Sequence, residues 1–473
     1  MTLPIALISV LVYLALALHI IRDDIDPDAR LAWLLIILCL PVLGLVLYLL
    51  AGTGYRNPAT RERIHGAGAR RLRTELDPAL FPDAGMDGVE SQFKPLARLL
   101  AACGEGNKVF SGNRFEIITS GLRKRELILE DIKNAKKYIH IEYFRFGNDK
   151  AGQEVRELLL QKAAEGVEVR FLHNNMIGRN IPRRYFREMQ KGGIEVIPYT
   201  HIRQGLRLWL MRINCQQHRK IVIIDGLVAY TGGMNLNDNY FYKWRDTHLR
   251  LEGPVIARFQ ASFLDTWFSC KGTLKQDLPY YFEQIEPFAD GKPVQVVTDA
   301  AENPWPSTQL AYEWILNNAR DYVYIQTPYF IPPASFLDAL KAAALRGVDV
   351  RVMLPENVDT PLIGPANRAY YAECLEAGVR ILERSGEFIH SKTLVADDYL
   401  SLIGASNLDV RSFSINSEVN SFIYDRETAL HNKEIFLADL PRAREWTPET
   451  WRATRTFWPD LGSRLMRVVY KVL

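Results

Sequence analysis

The chain has 473 residues, of which 24% are charged and 48% hydrophobic, and its 58 Lys and Arg against 55 Asp and Glu leave a net charge of +3. That length supplies two or more domains with ample core, and so small a net charge gives no sign of a polyanion-binding protein. Five scattered cysteines (Cys39, Cys103, Cys215, Cys270 and Cys374), with no Cys-x-x-Cys pair, argue against a disulfide framework or a cysteine zinc site and suit a reducing compartment.

Residues 1–21 carry no charged side chain. At about 1.5 Å per residue, a helix of that length covers the roughly 30 Å hydrocarbon core of a bilayer. A second apolar span, 31–50, follows an acidic loop with Asp23, Asp24, Asp26 and Asp28. Ala15-Leu16-Ala17 resembles a signal-peptide cleavage site, but there is no basic start and another span follows, so a retained two-helix transmembrane hairpin over 1–52 is expected. Arg56, Arg61, Arg63, Arg70, Arg71 and Arg73 come next. Their excess places both termini in the cytoplasm and marks 53–106 as a basic linker, which can be solvated and still attract anionic lipid.

From 107 onward helix and strand patterns alternate. Helices are expected at 123–137, 152–165 and 183–191, with strands at 138–146, 167–174, 194–198 and 220–225. The same order returns as helices at 308–320, 334–346 and 367–377, with strands at 322–327, 348–354, 379–382 and 392–396. Such alternation predicts a layered α/β fold, a mixed sheet flanked by helices. Glu286-Pro287 and Gly291-Lys292-Pro293 divide it into halves at 107–286 and 287–473. Beyond the second half's strands lie an amphipathic helix at 427–438 and an aromatic, basic tail with Trp446, Trp451 and Trp458. That tail either packs on the core or meets a membrane interface.

The halves are duplicates. His218-x-Lys220-x4-Asp225 is matched 172 residues later by His390-x-Lys392-x4-Asp397, and the same offset pairs Asn235 with Asn407 and Asp246 with Glu418. Upstream, Tyr138 to Ile141 answers Tyr322 to Ile325 at an offset of 184. The first half therefore holds extra residues just before its His. They fall around Arg203 to Arg212, where Leu206, Trp209 and Leu210 share a helical face. This segment is either a buried cover or an interfacial element bearing Trp and Arg.

Duplicated packing alone gives little reason for an alternating His-x-Lys, whose side chains share one face of a strand. Two imidazoles and two ammoniums meeting from opposite halves suit a phosphodiester. Lys220 and Lys392, helped by Asn235 and Asn407, would neutralise the non-bridging oxygens. One imidazole would attack phosphorus and the other protonate the leaving oxygen. Metal chemistry lacks its ligand patterns here, and no cofactor is called for.

These motifs resemble the phospholipase D superfamily. The combination of two N-terminal spans, Tyr230-Thr231-Gly232-Gly233-Met234-Asn235 and Trp244-Arg245-Asp246-Thr247-His248 is similar to its bacterial cardiolipin synthases. The resemblance covers essentially the whole chain. It implies two duplicated phospholipase D-like halves with the site at their interface. It further implies that two phosphatidylglycerol molecules give cardiolipin and glycerol through a phosphatidyl-histidine. By position in the motif, His218 matches the nucleophile, His390 the general acid and then base, and Asp246 and Glu418 the carboxylates that orient the imidazoles. Asp225 and Asp397 complete the catalytic motif and are expected to brace it. The expected setting is the inner membrane of a bacterium, with an anionic inner leaflet as partner and no nucleic acid. A phospholipid hydrolase or a membrane-anchored nuclease of the same superfamily would share every catalytic residue.

Overall fold

The structure is a computed structural model and describes residues 2–22, 27–48, 72, 86, 88–104, 106–174, 181–200, 209 and 212–454, with backbone alone for 2–10 and 27–29. The Arg cluster after residue 50, nearly all of the extra segment at 203–212, and the tail from 455 lie outside these residues.

The first half contributes seven strands: β1 (Val109–Ile118), β2 (Tyr138–Tyr143), β3 (Glu168–His173), β4 (Glu195–Pro198), β5 (Lys220–Ile224), β6 (Val228–Gly232) and β7 (His248–Glu252). The second contributes β8 (Lys292–Asp299), β9 (Tyr322–Gln326), β10 (Phe330–Ile331), β11 (Asp349–Pro355), β12 (Arg380–Arg384), β13 (Thr393–Ala396), β14 (Leu400–Gly404), β15 (Leu408–Asp409), β16 (Glu418–Tyr424) and β17 (Ala443–Trp446). From its inner edge the first half runs β1-β7-β6-β5-β2-β3-β4, and the second runs β8-β16-β14-β13-β9-β11-β12-β17. Apart from β17 at the outer edge of the second half, this is one topology used twice, as the repeat requires. β1 and β8 pair antiparallel, Phe110 opposite Val294, so the halves share a single sheet of 15 strands among the described residues.

In each half the middle strands are covered on both faces. Every residue of β2, β5, β9 and β13 is buried, which is why β5 and β13 read as apolar runs rather than as alternation. Helices Gly121–Asn134 and Lys150–Ala164 pack on one face of the first half, burying Ile128, Ile132, Val155 and Leu159. Helix Ile256–Ser269, which the sequence reading did not anticipate, covers the other with Phe259, Phe263 and Trp267. Strands β1, β6, β7, β8, β10, β14, β15, β16 and β17 were also unanticipated.

Two other expectations are revised and one open alternative is decided. The single helix at 367–377 is two short helices, Ile363–Arg368 and Tyr371–Glu376. The end of the expected linker is folded: helix Lys94–Cys103 buries Leu96, Ala97 and Leu100 in the second half's core, and Phe93 stacks on Tyr399 at 5.4 Å. Trp446 and Trp451 pack against each other at 5.2 Å and are buried, so these two tryptophans belong to the core.

At the N-terminus, α1 (Thr2–Arg22) is followed by α2 (Pro27–Cys39) and α3 (Pro41–Leu47). The second apolar span is thus divided at Leu40, because Pro41 lacks an amide hydrogen and its ring opposes continuation. Ile20, Trp33, Ile37 and Tyr48 form a small cluster between the helices. Among the described residues no helix is long and apolar enough to cross a membrane, so the expected spanning hairpin is not established by them.

Candidate active site

Both histidines lie just before a strand, at the point where the chain leaves one half and touches the other. The His218 amide donates to Ser417 O at 2.9 Å, and the His390 amide to Arg245 O at 2.7 Å. These bonds set the neighbouring side chains of the opposite half beside each ring. His218 Nδ1 lies 2.9 Å from both carboxylate oxygens of Glu418. His390 Nδ1 lies 2.7 Å from Asp246 Oδ2. Each imidazole is therefore held by the carboxylate of the other half, and both carboxylates are fully buried. A carboxylate that accepts from Nδ1–H leaves the Nε2 lone pair free, the tautomer a nucleophile or base requires.

The lysines lie beneath the imidazoles. Lys220 Nζ donates to His218 O at 2.6 Å, and Lys392 Nζ lies 2.7 and 3.1 Å from the ring nitrogens of His390. Burial, and then the charges of Lys220 and Lys392, hold the His218 pKa well below the ordinary imidazole value. His390 is pushed down to about 3 by burial and by Lys392. Burial also lowers Lys220, and brings Lys392 down to about 8. Glu418 is raised by burial to about 7. The leading cause in every case is burial, which disfavours the charged form; the lysines add to it at the imidazoles, and a phosphodiester bound beside the imidazoles and lysines would favour their cationic forms.

Three buried amide atoms also lack hydrogen-bond partners among the described residues: Asn235 Nδ2, Asn407 Oδ1 and Asn416 Oδ1. Asn235 Oδ1 accepts from the Arg145 amide at 3.0 Å, which fixes the side chain and leaves its NH2 group available as a donor. Asn407 and both histidines line one cavity of about 370 Å³.

Asp225 and Asp397 do not reach this cavity. Each sits at the far end of its strand with positive φ, 54° and 49°, and braces the turn into the neighbouring strand. Asp225 accepts from the amides of Lys136, Lys137 and Tyr138 at 2.7, 2.7 and 2.9 Å. Asp397 accepts from those of Arg320, Asp321 and Tyr322 at 2.9, 3.0 and 3.1 Å. Both therefore brace the motif and neither lines the cavity. Among the described residues, no group of three or more His, Cys, Asp or Glu side chains could hold a metal ion.

Sequence reasoning missed the aromatic walls. Phe144 meets His218 edge-on at 4.5 Å, while Tyr240 and Trp244 lie 5.2 and 5.5 Å from His390. Arg145, Tyr329, Asp359 and Arg411 also line the cavity. The available signal was positional: Phe144 and Arg145 directly follow β2, where strand ends open onto a cleft.

Fold and site together define a duplicated phosphodiester-processing enzyme of the phospholipase D type. Residues 128–267 and 313–440 match the family described as cardiolipin synthase, phospholipase D-like domain, and residues 11–52 match a phospholipase D–nuclease N-terminal segment. The chain is 34% identical over 468 residues to the major cardiolipin synthase of Bacillus subtilis, covering 96% of this chain and 95% of that one. It is also 34% identical over 475 residues to a cardiolipin synthase of Listeria monocytogenes, covering 97% and 96%. In fold it resembles the phosphatidylserine synthase of Haemophilus influenzae, with a TM-score of 0.59 and 14% identity over 80% of this chain and 100% of the other. The chain belongs to the cardiolipin synthase family of phospholipase D-like enzymes.

Proposed function

We propose that the enzyme joins two phosphatidylglycerol molecules into cardiolipin, releasing glycerol. The observation that carries this reading is the crossed pairing of two imidazoles with two carboxylates over two buried lysines, with both imidazoles lining one cavity. His218 Nε2 attacks the phosphorus of the first lipid. A P–N bond forms, the P–O bond to the head-group glycerol breaks, and protonated His390 gives its proton to the departing oxygen. His390, now neutral, takes the proton from a head-group hydroxyl of the second lipid, whose oxygen displaces His218 from phosphorus. The bound phosphate anion raises the His390 pKa, so the acid is charged when substrate is present. Lys220, Lys392 and Asn235 Nδ2 neutralise the non-bridging oxygens. Asp246 and Glu418 hold the rings and stabilise each imidazolium.

One phosphodiester replaces another, so the reaction needs no activated nucleotide, and added glycerol returns cardiolipin to phosphatidylglycerol. Purified enzyme given labelled phosphatidylglycerol alone should make cardiolipin and glycerol, at an undiminished rate in chelator. Phosphatidic acid as the sole lipid product would identify a hydrolase instead.

The setting that supports this chemistry is the inner membrane of a bacterium. Along α1–α3, apolar side chains face outward, with Leu18 59%, Leu38 76% and Val42 76% exposed, a surface that lipid would cover. The hairpin would span the bilayer twice, with the catalytic halves in the cytoplasm drawing lipid from the anionic inner leaflet. A reporter fused after Leu473 should be active in the cytoplasm; activity confined to the periplasm would refute this topology.

A further inference from the structure

We propose that Arg145 holds the phosphate of the second, acceptor lipid, which makes the cleft a site for two phosphates. This rests on the synthase reading and deepens it. A hydrolase handles one phosphate, whereas a synthase must hold a second anion one three-carbon bridge away from the reacting phosphorus. That reach keeps both phosphates within the same cavity of about 370 Å³.

Most cations of the site are committed. Lys220 and Lys392 lie under the imidazoles. The Arg411 guanidinium donates to Asn214 at 3.1 and 2.7 Å. Arg219 is held by Glu418 O, Thr266 and Asp299 O at 3.1, 3.1 and 3.2 Å, and Arg245 pairs with Asp439 at 3.0 Å. Arg145 differs. It lines the cavity, yet its buried Nε has no hydrogen-bond partner, and no ion pair holds it among the described residues. Its backbone is anchored instead, through the 3.0 Å bond to Asn235 Oδ1. The guanidinium lies 5.7 Å from the centroid of Phe144, the ring that packs on His218 at 4.5 Å. A guanidinium so placed offers a fork of donors that matches phosphate.

The repeat singles out the same position. At the upstream offset of 184, Arg145 corresponds to Tyr329, which also lines the cavity and donates to Asp359 Oδ1 at 2.6 Å. The cation is present on one side only, as expected where donor and acceptor lipids play unequal parts.

The test uses the full-length enzyme in phosphatidylglycerol vesicles and measures two reactions side by side. The first is cardiolipin formation. The second is exchange of labelled free glycerol into phosphatidylglycerol, in which the acceptor carries no phosphate. For Arg145→Ala, the ratio of cardiolipin formation to exchange should fall by about ten- to a hundredfold, the worth of a charged hydrogen bond, with partial recovery in Arg145→Lys. Equal losses in both reactions would place Arg145 on the donor phosphate or in folding and overturn the inference. A wild-type enzyme that exchanges glycerol but forms no cardiolipin would instead remove the synthase reading, and this inference with it.

Discussion

The two halves share a topology but differ directly behind their catalytic side chains. In the second half, Asn420 Nδ2 donates to Thr308 Oγ1 at 2.9 Å and to Ser406 Oγ at 2.7 Å, a neutral and well-satisfied layer. The repeat places Lys124, His248 and Met234 at those positions in the first half. Lys124 Nζ donates to Met234 O at 2.7 Å, and both nitrogens of buried His248 lack partners among the described residues. Burial lowers the pKa of each well below its ordinary value. Duplication thus preserved the groups that face phosphate, while the layer behind them diverged. A symmetric substrate site does not require equal halves, because in the proposed mechanism one imidazole attacks and the other carries the proton.

The largest effect that would sharpen this inequality comes from the histidines. His218→Ala should lower activity by at least about 10⁴-fold and leave no phosphorus-linked enzyme. His390→Ala should be slow by about 10²- to 10⁴-fold yet still accumulate the intermediate when the leaving group needs no proton. Mass spectrometry of acid-quenched enzyme distinguishes them, and intermediate on His390 in the first variant would reverse the assignment.

The carboxylates give the next test, with losses of about 10²-fold or more from misoriented rings. Because the pairs are crossed, Glu418→Gln should copy the His218 defect and Asp246→Asn the His390 defect. The opposite pattern, each acid serving its own half, would contradict the geometry.

The pH dependence of kcat/KM separates the halves more gently. Glu418, with a pKa raised to about 7, becomes protonated as pH falls through 7 and can then donate to His218, which removes the free Nε2 lone pair. Lys392, lowered to about 8, loses its charge as pH rises through 8 and binds the anion less well. Activity should therefore peak between these values and fall about tenfold per pH unit beyond either limb. In Glu418→Gln the acid limb should vanish while the alkaline limb stays; an unchanged acid limb would exclude Glu418 as its source.

The smallest effect lies at Gly233 and its counterpart Ala405. A Cβ on Gly233 would sit 2.1 Å from Asp246 Oδ1, so Gly233→Ala should cost about 1–3 kcal/mol by overpacking and disturb His390. Ala405→Gly should cost about 0.5–1 kcal/mol from chain entropy. Urea denaturation measures both, and equal costs would mean that the acid has room to move.

The sequence by itself determined the duplicated α/β halves and the residues His218, Lys220, His390 and Lys392, since motif spacing and apolar runs are local and survive duplication in order. It also located Asp246 and Glu418 as matched acids. Strands such as β7 and β16 escaped notice because their burial depends on helices and neighbouring strands far along the chain. Only the tertiary structure decided which acid serves which imidazole, for Glu418 meets His218 across 200 positions and Asp246 meets His390 across 144. It likewise turned Asp225 and Asp397 away from the cleft and opened Arg145 into it. A spacing rule fixes which residues share a strand face; the joining of two sheets edge to edge fixes which faces meet.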